Sequence, residues 1–285
     1  MELYTPIPID RAAYSIGAWT PLLLLGSCFS DNVGGKLLDD GFEAIVNPTG
    51  PLYNPLSLAH MLERCITGKM PGPEDFIQGP RGWHSLEYAS RYSGPDAEAL
   101  AARISQDLAP VCRFLEGSEP RMAVFTFGTS YVFHLATTGM PVGNCHKFHP
   151  ATFERRLRSA DDFVARWKPL VVWMRDRNIH PVFTVSPIRH MADGAHGNTI
   201  SKATLHMAVE RLVQTGADYF PAYEIMMDQL RDYRFYARDM VHPSDLAVDI
   251  IYRQFLDTYL APSSVGEVKA RAAQLRSEAQ RHILS

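Results

Sequence analysis

Leu22-Leu23-Leu24-Leu25-Gly26-Ser27-Cys28-Phe29-Ser30 is the stretch on which the reading of this chain turns. Four leucines after Pro21 read as a short, fully buried strand. The chain breaks at Gly26 and runs on through Asp31-Asn32-Val33-Gly34-Gly35-Lys36-Leu37-Leu38, a helical pattern weakened by two glycines. A buried strand that turns sharply into a helix sets the turn residues at the carboxyl end of a sheet, where first-turn N–H groups lack intrahelical partners. Ser27 there serves either as a helix cap or as a nucleophile whose oxyanion those amides stabilise. A base supplied elsewhere in the chain decides between the two.

The rest of the chain repeats the pattern. Phe42–Val46, Met122–Phe127, Pro181–Val185 and Ala217–Phe220 read as further strands. Helices are expected at Pro55–Thr67 behind an Asn54 cap, at Pro95–Glu116, over Ala151–Asn178 with Pro169 dividing it, at Thr199–Thr215, at Tyr223–Arg231, from Ser244 to Leu260 and over the charged C-terminal stretch. Strands alternating with helices imply a parallel sheet covered on both faces, with ligands beyond the carboxyl ends of the strands. The expected organisation is a lead-in over 1–20, one domain over 21–262 and a terminal helix over 263–285. Within the domain, residues 69–95 lack periodicity and carry Phe76, Trp83, His84, Tyr88 and Tyr92, which read as a pocket-forming insertion or as aromatics packed on the body.

Composition narrows the function classes. The 285 residues are 46% hydrophobic and 21% charged, ordinary for a globular enzyme. A net charge of −3 gives no electrostatic footprint for nucleic acid or an anionic membrane. No apolar run approaches a spanning helix, and Met1–Pro6 lacks a signal-peptide pattern, so a cytoplasmic location is expected. Cys28, Cys65, Cys112 and Cys145 are scattered, which points to reduced thiols rather than a zinc site or a disulfide framework. No cofactor is expected.

Asp239-Met240-Val241-His242 supplies the candidate base. At this spacing the carboxylate accepts from one imidazole nitrogen and leaves the other free to take a proton from a serine. Alone the pattern is weak. Its place ahead of the last core helix, with Pro243 fixing the helix start, puts it at the same sheet edge as Ser27.

Gly26-Ser27-Cys28-Phe29-Ser30, Asn47-Pro48-Thr49-Gly50-Pro51-Leu52-Tyr53-Asn54-Pro55, Thr126-Phe127-Gly128-Thr129, Gly143-Asn144-Cys145-His146-Lys147, Ser186-Pro187-Ile188-Arg189-His190 and Asp239-Met240-Val241-His242-Pro243-Ser244, in this order, resemble the GSCFA-domain family. That family is a bacterial branch related to the SGNH (GDSL-type) hydrolases, and the likeness runs from about residue 20 to 260. It implies a flavodoxin-like α/β/α domain with about five parallel strands, and metal-free ester hydrolysis or acyl transfer. By resemblance Ser27 is the nucleophile, His242 the base and Asp239 its orienter, and Gly50 contributes an oxyanion-hole amide. Two positions depart from the GDSL pattern. Gly26 stands where those enzymes have Asp, and Gly128-Thr129-Ser130 lacks their Gly-x-Asn. Thr129, Asn47 or Asn144 then supplies the third oxyanion donor.

Other residues keep two readings. Cys28 is a rival nucleophile or packing. His146 and Lys147 are assigned to the pocket lining. Arg189 holds a substrate anion or anchors an acidic residue such as Asp193, and His190 is the alternative base. The substrate expected is a small-molecule or glycan ester, an O-acylated carbohydrate first. The rivals are a non-catalytic glycan- or metabolite-binding module, and a scaffold protein whose contact is the Val268–Ile283 helix, itself equally readable as a cover packed through Val268, Ala272, Leu275 and Ala279.

Overall fold

The computed structural model describes residues 5–79 and 82–284, with side chains through Arg281. Eleven strands and eight α-helices are assigned among these residues. In chain order the strands are β1 (Leu22–Gly26), β2 (Ala44–Val46), β3 (Phe76–Gly79), β4 (Gly82–Ser85), β5 (Ser93–Gly94), β6 (Arg121–Phe127), β7 (Tyr131–Leu135), β8 (Pro141–Val142), β9 (Phe153–Leu157), β10 (Ile179–Val185) and β11 (Asp218–Tyr219). The helices are α1 (Cys28–Asp39), α2 (Pro55–Thr67), α3 (Ala97–Glu116), α4 (Ala160–Arg175), α5 (Gly194–Val213), α6 (Ala222–Glu224), α7 (Asp245–Tyr259) and α8 (Val265–Leu284).

The central sheet is parallel, in the order β11-β10-β6-β1-β2. The strand order reverses at β1, as in flavodoxin-like folds, and the switch point opens beside its carboxyl end. Side-chain alternation explains the leucine run. Leu23 and Leu25 enter a core shared with α2, α3, α4 and α5, while Leu22 and Leu24 enter one shared with α1, α7 and Val268 of α8. A strand covered on both faces has no polar side to show, so it reads as continuous leucine.

The glycines that weaken α1 as a helix have different causes. A Cβ at Gly34 would come within 2.4 Å of Val46, so this glycine lets α1 lie against β2. Nothing stands near a Cβ at Gly35. Trp167 of α4 fastens the other layer. It is fully buried, its indole N–H donates to the Pro55 carbonyl at 2.9 Å, and its ring meets Phe125, Phe127 and Phe183. Trp167→Phe deletes that hydrogen bond and opens a gap, so urea unfolding should show a loss of about 1–3 kcal/mol. An unchanged midpoint would mean that α2 and α4 are held by other contacts.

Three expectations are corrected. Residues 69–95 contain the small antiparallel sheet β3-β4-β5, joined by loops, with residues 80 and 81 outside the described residues. Tyr88 and Tyr92 are fully buried in the main core. Residues 151–178 are not one broken helix. β9 opens the segment by pairing with β7, and α4 runs through Pro169, which sits on the exposed side where the missing N–H disturbs least. Of the expected contacts of α8, Val268 and Ala272 are buried, whereas Leu275 and Ala279 are exposed.

No described helix is long and apolar enough to cross a membrane.

Candidate active site

Ser27 follows β1 directly and is the N-cap of α1. Its φ of −69° and ψ of 173° end the strand, and its Oγ accepts from the Phe29 amide at 3.3 Å. The turn is held from three sides. The Ser27 amide donates to the Thr126 carbonyl at 3.2 Å, and the Ser30 hydroxyl donates to Thr126 Oγ1 at 2.8 Å. Asn47, in the loop after β2, accepts from the Gly26 amide through Oδ1 and donates through Nδ2 to the Ser27 carbonyl and to Asp31. Ser27 is fully buried by area, and its Oγ donates to Ser186 Oγ at 2.9 Å.

His242 arrives on the loop before α7. Tyr236 and Pro243 pair across that loop, and the Ala237 amide donates to the His242 carbonyl at 2.8 Å. Met240, at φ 59°, turns the chain so that Asp239 faces back on His242. Asp239 Oδ1 accepts from the Val241 and His242 amides at 2.9 and 3.0 Å, and its Oδ2 lies 2.6 Å from His242 Nδ1. The His242 and Val241 amides, followed by the imidazole, hold the Asp239 carboxyl down at about 2. An ionised carboxylate at Nδ1 selects the tautomer that leaves Nε2 unprotonated.

Ser27 and His242 border one cavity of about 620 Å³ at the carboxyl ends of β1, β6 and β10. Tyr53, Asn54, Gly128, Thr129, Tyr131, Phe133, Arg155, Ser186, His190 and Lys202 share its wall. Arg155 makes a two-pronged pair with Asp193 and lies over the Tyr131 ring at 4.2 Å. It, rather than Arg189, anchors Asp193 and holds that carboxyl below its ordinary value. His190 borders the cavity with its Nδ1 3.9 Å from the same, already engaged, Asp193.

The other expected donors are occupied or lie off the cavity wall. The Gly50 amide donates to the Asn47 carbonyl at 2.8 Å, so it closes a turn. A Cβ at Gly50, at φ 83°, would lie 2.6 Å from Ala89, which accounts for the glycine. Asn47 braces the Ser27 turn instead of facing the cavity. The Thr129 amide donates to the Tyr53 carbonyl, and its Oγ1 accepts from the Tyr131 amide. Asn144 accepts from the His146 amide, and His146 reaches the Ser85 carbonyl in the β3-β4-β5 region. Arg189 is exposed, with its amide donating to the Val241 carbonyl. The insertion aromatics Trp83, Tyr88 and Tyr92 do not border the cavity; Tyr53, Tyr131 and Phe133 do. Cys28 also stands on the wall, against its expected place in the packing. Burial, and then Asp31, push its thiol up, the wrong direction for a nucleophile.

A profile of the GSCFA family matches residues 21–255. The chain belongs to the GSCFA family. No curated protein matches this GSCFA chain. Several solved structures are similar to it. One is the esterase EstA from Pseudoalteromonas sp., inhibited by monoethylphosphonate, at 10% identity and a TM-score of 0.35, with 84% of this chain and 96% of that one covered. Another is LAE5, an alpha/beta hydrolase from the metagenome of Lake Arreo, Spain, at 12% identity and a TM-score of 0.40, covering 86% and 96%. A third is an Axe2 mutant, an acetyl-xylooligosaccharide esterase from Geobacillus, at 13% identity and a TM-score of 0.40, covering 86% and 95%.

Sequence reasoning passed over Lys202, Tyr53, Tyr131, Phe133 and Arg155. For Lys202 a signal exists. It falls on the buried stripe of α5 with Ser201, Leu205, Ala208, Val209 and Leu212, where a lysine without an acidic neighbour is out of place. The aromatics belong to short loop and hairpin segments whose placement no local pattern encodes.

Proposed function

We propose that this GSCFA protein is a serine acyl hydrolase, or acyltransferase, acting on a small carboxylic ester. The observation that carries the reading is Ser27, at a helix N-terminus, facing the same cavity as a histidine already paired with its carboxylate. In the resting arrangement the Ser27 proton is given to Ser186. For the reaction it passes instead to His242 Nε2, across the cavity the two residues share. As Oγ bonds to the ester carbon, His242 takes the proton and the carbonyl π pair moves onto oxygen. That oxygen lies against the first-turn amides of α1, where Cys28 N–H has no intrahelical acceptor. Collapse breaks the bond to the alcohol, which leaves with the proton from His242. Water, or a second hydroxyl in acyl transfer, then repeats the sequence on the acyl-enzyme.

The substrate class we favour is an O-acylated carbohydrate. The exposed rings of Tyr53 and Phe133 offer apolar faces to a sugar, and Arg155 and His190 offer donors beside them. An alkyl fluorophosphonate should label the protein stoichiometrically, with the adduct mapping to Ser27 in peptide mass spectrometry. Protein that binds an acylated oligosaccharide but takes no label would instead be a binding module, in which the bond from Ser27 to Ser186 is the permanent state.

A further inference from the structure

Lys202 is 3% exposed, and among the described residues no carboxylate pairs with it. An ammonium in that condition is costly to keep unless it is held by other means and has something to do. It is held by two main-chain carbonyls, donating at 2.8 Å to Gly128 and at 2.8 Å to Ser186. Those carbonyls end β6 and β10 on either side of the cavity that Ser27 borders, and Lys202 is part of the same wall. An ammonium has three N–H groups and these contacts engage two. Gly128 begins the segment where the GDSL pattern has a donor asparagine and this chain has Gly128-Thr129-Ser130. Asn47, Asn144 and Gly50 do not border the cavity, and the Thr129 amide and hydroxyl lie against the Tyr53 carbonyl and Ser201 Oγ.

We propose that Lys202 is a catalytic residue of this site, whose remaining N–H and positive charge receive the oxyanion formed when Ser27 attacks the ester carbonyl. The inference rests on the acyl-transfer reading above. In the resting protein the charge has no counter-ion among the described residues. The tetrahedral intermediate supplies one, so the attraction is gained mainly in the transition state, which is where an interaction accelerates chemistry. No covalent bond to Lys202 forms and its protons stay in place.

The surroundings of Lys202 set the pH at which it carries its charge. Burial pulls its amine down to about 7, and Cys28 opposes this. From α6 it faces the Tyr223 ring at 5.7 Å, and one turn along its own helix stands His206, whose imidazole is pushed down by burial, raised in part by Glu224 and lowered again by Lys202. The ammonium is therefore present below about pH 7 and is lost above it. Activity should fall on the alkaline side of that point.

The test is Lys202→Met, close in volume and without charge, with Lys202→Gln as the second variant in case the first fails to fold. With 4-nitrophenyl acetate, kcat should fall about 10²–10³-fold with KM little changed. Fluorophosphonate labelling of Ser27 should slow in parallel, and the residual activity should lose the alkaline limb. A lysine that merely braces Gly128 and Ser186 would lower thermal stability without removing that limb. Folded variants that retain kcat within about threefold of wild type, or that keep the limb, overturn the inference and leave the acyl-transfer reading standing. Wild-type protein that neither labels nor turns over ester overturns both. Should neither variant fold, a wild-type kcat profile that does not fall between pH 6 and 9 overturns the inference.

Discussion

His242→Ala is expected to lower kcat/KM for an aryl ester by about 10³-fold, within the range that general acid–base catalysis contributes. Under the proposed acyl-transfer mechanism the imidazole has two jobs. It takes the Ser27 proton on the way into the intermediate and returns it to the leaving alcohol on the way out. Asp239→Asn should cost less, about 10–10²-fold, because its pair with His242 stands in solvent and is screened, and because the variant keeps a side chain able to accept from the Val241 and His242 amides. His190→Ala should leave most of the rate, since the carboxylate 3.9 Å from its ring, Asp193, is already bound to Arg155. A reversed order, with His190→Ala the damaging change, would move the base to the other side of the cavity. The acid side of the wild-type profile carries the same information. A carboxyl whose protonation is displaced downward adds its effect above its ordinary range and loses it only as pH falls through the displaced value. Asp239 is held at about 2, so it is ionised across the working range. A decline that sets in well above pH 3 therefore does not come from Asp239. Added free imidazole should restore part of the His242→Ala rate if the missing function is proton transfer.

The central sheet is legible in the sequence for a physical reason. Each of its long strands is covered on both faces, so burial shows as an unbroken apolar run, and each ends in residues that cannot continue a strand. Leu22–Gly26 and Pro181–Val185 need no tertiary information to be seen. The small strands are different. β7 alternates buried and exposed residues over only five positions, and β5 and β8 have two residues each, so their existence depends on partners far along the chain. Their loss to sequence reasoning carried the cavity aromatics with it, because Tyr131 and Phe133 stand on β7. Asp239 and His242 are legible because the contact between them is local, three residues apart. The turn partners of Gly50 and of the Asn144 side chain are also local, yet nothing in their residue types says whether an amide is aimed at a ligand or closes a turn, and His146 reaches Ser85, 61 residues away. Lys202 shows the converse. Its partners are 74 and 16 residues away, but its place on an apolar helical stripe was visible from the start.

Gly26→Ala should destabilise the fold by about 3–5 kcal/mol, among the largest effects of any single methyl in this chain. Gly26 has φ 141°, a conformation that L side chains rarely adopt, and such strain alone costs about 1–3 kcal/mol. The added methyl would also lie 2.2 Å from the Thr126 carbonyl oxygen and 2.8 Å from the Thr126 nitrogen. Thr126 is the residue paired with Gly26 across β1 and β6. Main-chain atoms of a central strand cannot step aside as a flexible side chain does, so the two strands must part at their ends. The Ser27 amide then loses the Thr126 carbonyl, and the nucleophile turn loosens with the sheet. This crowding is also why position 26 cannot take the aspartate of the GDSL pattern: any side chain beginning there meets β6 before it reaches the cavity. Gly35→Ala is the matched control. It adds the same methyl within α1, in open space, and should stabilise by up to about 1 kcal/mol through helix propensity. Urea midpoints for the two variants should therefore move in opposite directions. A Gly26→Ala midpoint within about 1 kcal/mol of wild type would show that β1 and β6 separate at little cost, and with it would go the account of Ser27 as a residue held rigidly at a strand end.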